Sequence, residues 1–573
     1  MNRKKFVRQL ITSTGAIVTA PSFFVNHNSI NSPNIFPSYE TGKELSADLV
    51  ICGGGLGGCA AALAALRNDL KVIMIEETKW IGGQISQQGV PPDEHQWIET
   101  HGGTLAYRNF RNSIREYYKK KYKLTDEARE QMYFNPGDGM VSRLCHEPRV
   151  AVAVLGDLFS PYLASKKLVL LKEHKLSAAF VSGNNIRSVT LTDTRENSTK
   201  TLAATYFIDA TELGDLLPLT GTSFVTGSES IKETNELHAS AVSEPENVQS
   251  FTSCFALDYI PGEDHTINKP ADYDYWVNYV PDLKPSWPGK LLSFSYTVPT
   301  TLKAGELAFN PEGASTEPHM NLWLYRRIIN KKNFVPGIFA SDITLVNWPQ
   351  NDFMAGNLIG AKAGEFRNLV EKSKQLSLSL LYWLQTEAPL PGKGYGWKGL
   401  RHRKDIMGTD DGFAMHPYIR ESRRIKARFT ILEEHVGRDN RAQVTRMKNE
   451  IKAAEFPDSI GVGYYHIDLH PTCAGHNYID IDSLPFQIPL GAMIPEHTEN
   501  LIPACKNIGT THITNGCYRL HPVEWNIGES GGALIAYCVK IKMPPSGVYE
   551  DKKLLSDFQS FIRKQGIETR WPG

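Results

Sequence analysis

The sequence predicts an α/β protein: a three-layer domain around a parallel sheet, assembled from both ends of the chain, with a mixed α+β domain inserted. Three observations predict it. Residues 47–52 form an apolar run of strand length, a cluster of glycines follows, and residues 59–68 are rich in Ala and Leu. Residues 71–75 form a second apolar run ended by Glu76 and Glu77, so strand, turn, helix and strand follow one another within about 30 residues. Residues 205–208 and 500–506 are again strand-like, and the long stretch between them lacks the glycine pattern.

Composition excludes several classes. The chain has 573 residues, 41% hydrophobic and 22% charged, as in ordinary globular proteins. Lys+Arg 62 balances Asp+Glu 62, so nothing in the global charge points to nucleic acid. Eight cysteines, none in a C-x-x-C pair, exclude a disulfide scaffold, a zinc ribbon and a thioredoxin motif. Cys52 and Cys59 read as small buried hydrophobes. No apolar run in the body reaches 18 residues, so no stable membrane span is expected. Residues 1–45 read as an export leader and linker: Arg3, Lys4, Lys5 and Arg8 precede a weak apolar stretch. Asn2 to Arg8 resembles a twin-arginine signal with Lys4 in place of one arginine, which implies a periplasmic destination.

Gly53-Gly54-Gly55-Leu56-Gly57-Gly58 fits G-x-G-x-x-G in its full strand-turn-helix context, so a Rossmann-like dinucleotide site is expected. Gly53 permits the tight turn, Gly55 the approach of a pyrophosphate, and Gly58 close packing of helix on strand. Leu56 and Gly57 begin the helix, whose unpaired N–H groups and dipole favour phosphate. Glu76 is placed to accept hydrogen bonds from the ribose, and its charge argues against a 2′-phosphate.

Glu76 is followed six residues later by Gly82-Gly83, then Gln84, Ile85 and Ser86. That spacing resembles FAD-binding two-dinucleotide-fold flavoproteins. Ala210-Thr211-Glu212-Leu213-Gly214-Asp215 resembles the A-T-x-x-G-D element of the same superfamily. Asn526-Ile527-Gly528-Glu529 reads as the start of an Ala-rich helix, with its N-terminus aimed at the flavin. With Gln88 to His95, Asn347 to Asp352, Arg420 to Arg424 and Ile467 to His470, the chain resembles the FAD-dependent oxidoreductase family of the glutathione-reductase and fumarate-reductase-like superfamily. Some exported bacterial members carry a "xanthan lyase" label. The resemblance implies FAD, bound by Gly53, Gly55, Leu56, Gly57, Gly58, Glu76, Glu77, Gly82, Gly83, Gln84, Ser86, Ala210, Thr211, Gly214, Asn526, Gly528 and Glu529.

The expected division is a leader (1–45), the first part of the FAD domain (46–220), a substrate or cap domain (221–483), the second FAD part (484–545) and a tail helix (546–573). Residues 363–387 predict a long amphipathic helix with Leu369, Leu376, Leu380 and Trp383 in the core. Residues 464–470 alternate with period two, placing His466, Asp468 and His470 on one side of a strand. A metal face, a proton-transfer or substrate role, and a structural pair all fit; no metal is assigned. His470 is the first candidate acid or base, oriented by Asp468. Arg420 and Arg423 are candidate anchors for a substrate carboxylate or phosphate, or else a structural ion-pair network. His521 is a further candidate. The expected function is hydride transfer between a small organic substrate and flavin N5, with an electron acceptor or donor and an oligomeric state left open. The alternative is a glycan-active lyase or binding protein using the aromatic-rich insert, its flavin structural or absent.

Overall fold

The computed structural model describes residues 45–572 apart from 314, 315, 317, 393, 447 and 448. The expected export leader, and with it the periplasmic address, lies outside the described residues.

The N-terminal strand β1 (Leu45–Cys52) is flanked in parallel by β2 (Val72–Glu76), and β2 by β3 (Leu168–Lys172). Their inner residues are apolar and buried on both faces, as a parallel sheet covered by helices requires. β4 (His174–Ser182) and β5 (Asn185–Asp193) form an antiparallel hairpin leading into β6 (Thr199–Asp209), which lies parallel to β1 on its other side. β6 then has two partners along one edge. Its first half pairs antiparallel with β5, Ser188 opposite Ala203; its second half pairs parallel with β7 (Leu501–Pro503), Leu501 opposite Phe207. The sheet is thus closed by both ends of the chain, as expected.

Helix α1 (Leu56–Arg67) starts at the glycine turn, and α2 (Leu105–Lys121) and α3 (Pro148–Ala164) fill the crossover from β2 to β3. In the insert, strands 327–329, 343–346, 255–259 and 400–402 form an antiparallel sheet in that spatial order. Helix α4 (Ala363–Thr386) buries the expected stripe Leu369, Leu376, Leu380 and Trp383. They join Trp276, Trp323, Trp348 and Trp397 in one core, so these aromatic side chains of the insert are not a glycan-binding face. The described residues form one compact unit.

Helix α5 (His521–Ile541) packs along α1 through small residues: a Cβ on Gly528 would lie 2.0 Å from the Gly57 carbonyl oxygen, and one on Gly532 2.1 Å from that of Ala61. The helix begins five residues before Asn526, where Pro522 suits a first turn. Residues 546–573 are more than a tail helix. Two helices, Pro545–Glu550 and Lys552–Lys564, return the chain so that Trp571 donates to the Phe486 carbonyl at 2.9 Å. The period-two run at 464–470 shortens to Ile467–Leu469, paired antiparallel with Ile479–Ile481. Residues 420–423 are irregular, and only Arg424–Ile425 is regular, as a short strand against Phe224–Val225. Among the described residues no helix is long and apolar enough to cross a membrane.

Candidate active site

The glycine turn has the geometry its sequence calls for. Gly53 has φ +105°, and a Cβ there would sit 2.2 Å from the Ala210 carbonyl oxygen, so the turn is pressed against the end of β6. Gly58 would meet the Gly53 carbonyl at 2.1 Å. The turn opens on a cleft lined by Gly53, Gly55, Glu76, Ala210, Thr211 and His416 among others.

Glu76 lies at the end of β2 and is nearly fully buried. Its Oε2 accepts from the Gly54 amide at 3.0 Å and its Oε1 from the Thr78 amide at 2.8 Å. Burial and then the neighbouring Glu77 push its carboxyl up to about 7. Glu76→Ala should weaken FAD binding by about 2–4 kcal/mol, through lost ribose contacts and a loosened turn, without unfolding the chain. A dissociation constant equal to wild type would remove Glu76 from the ribose site.

Three cleft groups escaped the sequence reading. His416 Nε2 lies 3.0 Å from Glu77 and Lys175 lies 3.4 Å from it. Burial opposes both charges, but the pairing outweighs it, holding Glu77 at about 2 and His416 at about 9. Phe366, from α4, closes the same wall. These residues come from β4, the 416–424 segment and the insert, and no local pattern links them to the glycine turn.

Of the remaining cofactor candidates, Gly82, Gly83 and Gln84 cross the glycine turn: the Gly82 amide donates to the Gly54 carbonyl at 2.7 Å, and the Gln84 amide donates to the Arg519 carbonyl at 2.8 Å. Ser86 is a correction, because its hydroxyl is committed to the Ile81 carbonyl at 2.6 Å and locks the turn. Thr211 lines the cleft and is tied to Asp209, whereas Gly214 packs against Arg423. Asn526, Gly528 and Glu529 are corrections too. They lie past the first turn of α5 and face protein: Asn526 donates to the Val462 carbonyl, Gly528 rests on Gly57, and Glu529 pairs with Arg67 and Trp525. The residue of α5 that reaches the glycine turn is Glu524.

Glu524 Oε1 accepts from the Gly57 amide at 3.1 Å, and its Oε2 accepts from Gln84. Glu212, from the A-T-x-x-G-D element, stands beside it and is ion-paired to the buried Lys506 at 2.5 Å. Lys506 holds Glu212 ionised against its burial. Burial pushes Glu524 up to about 7, with Lys506 opposing and Glu212 adding to the rise. Glu524 is therefore neutral below that pH and anionic above it, facing the amides that would receive a pyrophosphate. FAD affinity should fall as pH rises from 6 to 8.5, and Glu524→Gln should flatten the profile. A profile identical in wild type and variant would show that this carboxyl does not sense the phosphates.

Beyond the cleft, the 416–420 segment carries Tyr418 and Arg420 into a buried charged cluster. Arg519 donates to the Tyr418 hydroxyl at 3.1 Å and to Asp468 at 2.9 Å; Arg326 pairs with Asp93 at 3.2 Å. His470 Nδ1 lies 2.6 Å from Asp352, and its Nε2 lies 3.7 Å from Asp468. The close orienting partner of His470 is thus Asp352, not Asp468. Burial works against both aspartates, but Arg420 and His470 hold Asp352 ionised, and His470 and Arg519 hold Asp468 well below the usual carboxylate range.

The two arginines do not form a clamp. Arg420 is buried and committed to Asp352, Asn347, Thr252 and the Ser250 carbonyl, so it stands behind His470. Arg423 points the other way, to Asp215 at 3.1 Å and the Leu213 carbonyl. His466 is paired with Asp480. His521 is fully buried, its Nδ1 accepting from the Asp93 amide at 3.1 Å, and burial pushes its imidazole down to about 4, so it is neutral. Among the described residues no group of three His, Cys, Asp or Glu is arranged to hold a metal ion.

The residues present fit a flavin dinucleotide. The first-turn amides of α1 have no intrahelical acceptor. Arg326 Nε and Arg519 Nε are buried donors with no protein acceptor, and the carbonyl-rich pyrimidine edge of a flavin is an acceptor of that kind.

A parallel sheet with a glycine turn, a carboxylate at the end of its second strand and a second turn of the Gly82-Gly83 kind is the frame of a dinucleotide-binding flavoprotein. A model of the family described as FAD dependent oxidoreductase matches residues 48–561. The chain belongs to that family; it is an FAD-dependent oxidoreductase, with FAD as its cofactor. No curated protein matches the chain. Among solved structures it is similar to the quinol fumarate reductase FrdA of E. coli, at 9% identity over 91% of this chain and 74% of that one, with a TM-score of 0.32. It is also similar to a geranylgeranyl bacteriochlorophyll reductase-like protein of Thermoplasma acidophilum, at 10% identity over 92% and 85% of the two chains, with a TM-score of 0.30. An L-proline dehydrogenase from P. horikoshii aligns at 16% identity over 33% of this chain, which spans 24% of that relative, with a TM-score of 0.17. Likenesses this distant carry no argument about activity.

Proposed function

We propose that the chain exchanges a hydride between a small organic substrate and flavin N5, with His470 as the general acid or base. The observation that carries this reading is the wiring of His470. It sits between two ionised carboxylates, Asp352 2.6 Å from Nδ1 and Asp468 3.7 Å from Nε2, which fix the orientation of the ring. Through Asp468 it is joined to Arg519, and through the Arg519 carbonyl to Gln84 in the turn beside the glycine loop. Asp352 fixes the ring, and Arg420 holds Asp352 in place without touching substrate. His521, neutral and tied to the Asp93 amide, positions that loop. FAD supplies a two-electron acceptor or donor, and the protein supplies orientation and the proton. Anaerobic mixing of the FAD-loaded protein with sugars, hydroxy acids and amines tests the reading. Bleaching of the flavin band by one class is the expected result. A flavin that no compound bleaches, and that in its reduced form no carbonyl compound reoxidises, would overturn it.

A further inference from the structure

The buried charged cluster carries polar atoms that the fold does not use. The hydroxyls of Tyr325 and Tyr465 have no hydrogen-bond partner among the described residues, yet they are not sealed in: both side chains are half-buried and both oxygens stay accessible. The same holds for Arg326 Nη2, Asp93 Oδ2 and Asp468 Oδ1, the far atoms of groups whose near atoms are paired.

These groups share one space. Arg326 pairs with Asp93 at 3.2 Å, and its guanidinium carbon lies 5.0 Å from the centre of the Tyr325 ring. Arg519 ties Asp468, at 2.9 Å, to the Tyr418 hydroxyl, at 3.1 Å. Asp93 and Asp468 both act on the phenols of Tyr325 and Tyr465, and the two phenols stand near one another. The wall is continuous with the cofactor cleft. Gln88, which lines that cleft, accepts from the Ile419 amide next to Tyr418, and Gln84 donates to the Arg519 carbonyl. His470 Nε2 lies 3.7 Å behind Asp468.

Both phenols are donors. Burial pushes Tyr325 up to about 12, with Arg326 opposing and Asp93 and Asp468 adding to the rise. Burial, then the same two carboxylates, hold Tyr465 well above the usual phenol range. Each keeps its proton at neutral pH and offers it to an acceptor. Charge decides the kind of acceptor. A substrate carboxylate would face Asp93 and Asp468, and an ammonium would face Arg326 and Arg519. Each arginine is matched by an aspartate, so an uncharged oxygen meets neither conflict.

We infer that Tyr325 and Tyr465 grip the reacting oxygen of an uncharged carbonyl or alcohol substrate. The inference rests on the hydride-transfer reading and names its substrate class. In the reductive direction the carbonyl carbon takes a hydride from reduced FAD as the C=O π bond breaks, and the oxygen takes a proton from His470. Both phenols keep their own protons and stabilise the charge that builds on that oxygen. The oxidative direction is the reverse, with an alcohol as donor and FAD as oxidant.

The test uses the full chain loaded with FAD and two matched series of probes. Benzaldehyde and benzyl alcohol are set against benzoate and benzylamine, and acetone and 2-propanol against acetate and isopropylamine. Calorimetry reads binding to the oxidised protein, and anaerobic flavin absorbance reads electron transfer. In at least one series the uncharged members should bind more tightly than the charged ones. Tyr325→Phe and Tyr465→Phe should each weaken that binding by about tenfold with unchanged FAD content. Tighter binding of a charged member in both series, or no binding in either, overturns the inference. Uncharged binding equal in wild type and both variants removes the two tyrosines from the site. Bleaching by a charged member alone overturns the substrate class and leaves hydride transfer standing. Uncharged binding that the variants weaken, with neither bleaching nor reoxidation of the flavin, supports the binding site and removes the hydride-transfer reading.

Discussion

Gly55→Trp should leave the purified protein without bound flavin. A Cβ on Gly55 points toward Glu212 Oε1 at 3.1 Å, the Ala210 carbonyl at 3.4 Å and Glu524 Oε1 at 3.6 Å. An indole cannot be buried among two carboxylates and a carbonyl, so it is driven across the first-turn amides of α1, where a pyrophosphate would lie. The loss should be of cofactor alone, since Gly55 is at the rim of the cleft while the tightest backbone contacts are those of Gly53, Gly57 and Gly58. Flavin content per chain and a thermal melt separate the two effects. A well-folded variant that stays yellow at wild-type stoichiometry would show that this turn does not carry the dinucleotide.

His470→Ala should keep FAD and slow substrate-driven flavin reduction by about 10²–10⁴-fold, the usual contribution of a general acid or base. Asp352→Asn should cost more than Asp468→Asn, because Asp352 lies 2.6 Å from the ring and Asp468 3.7 Å. The pH profile distinguishes a chemical role from a structural one: removal of the imidazole should erase its limb of the profile, whereas a packing defect would lower the rate at every pH. A reduction rate within threefold of wild type would end the assignment.

The legible parts of the molecule were those encoded locally. The glycine turn, Glu76 and the apolar stripe of α4 each lie within one or two elements, where periodicity and spacing speak directly. The second dinucleotide segment was also recognisable, but its register was not. The helix was expected to open near Asn526, whereas it opens at His521, so the residue of that helix that reaches the glycine turn is Glu524 and not Asn526, Gly528 or Glu529. His470 was expected to be oriented by Asp468, yet the nearer carboxylate is Asp352, more than a hundred residues away in the chain. The Arg420 and Arg423 pair failed for the opposite reason. Near neighbours in sequence on an irregular segment need not share a face, and these two point to opposite ends of the site.

The two-partner edge of β6 has a consequence for how the holoprotein comes into being. The glycine turn and Glu76 leave the ribosome early, but Lys506 and Glu524 are made near the end, and β7 cannot join β6 before residue 501 has emerged. Until then the second half of β6 offers open hydrogen-bonding groups with no strand to receive them, and Gly57 and Glu212 lack the Glu524 and Lys506 that hold them. The dinucleotide motif is therefore made long before the segment that braces it, and a chain that stops short of residue 501 carries the motif without its brace.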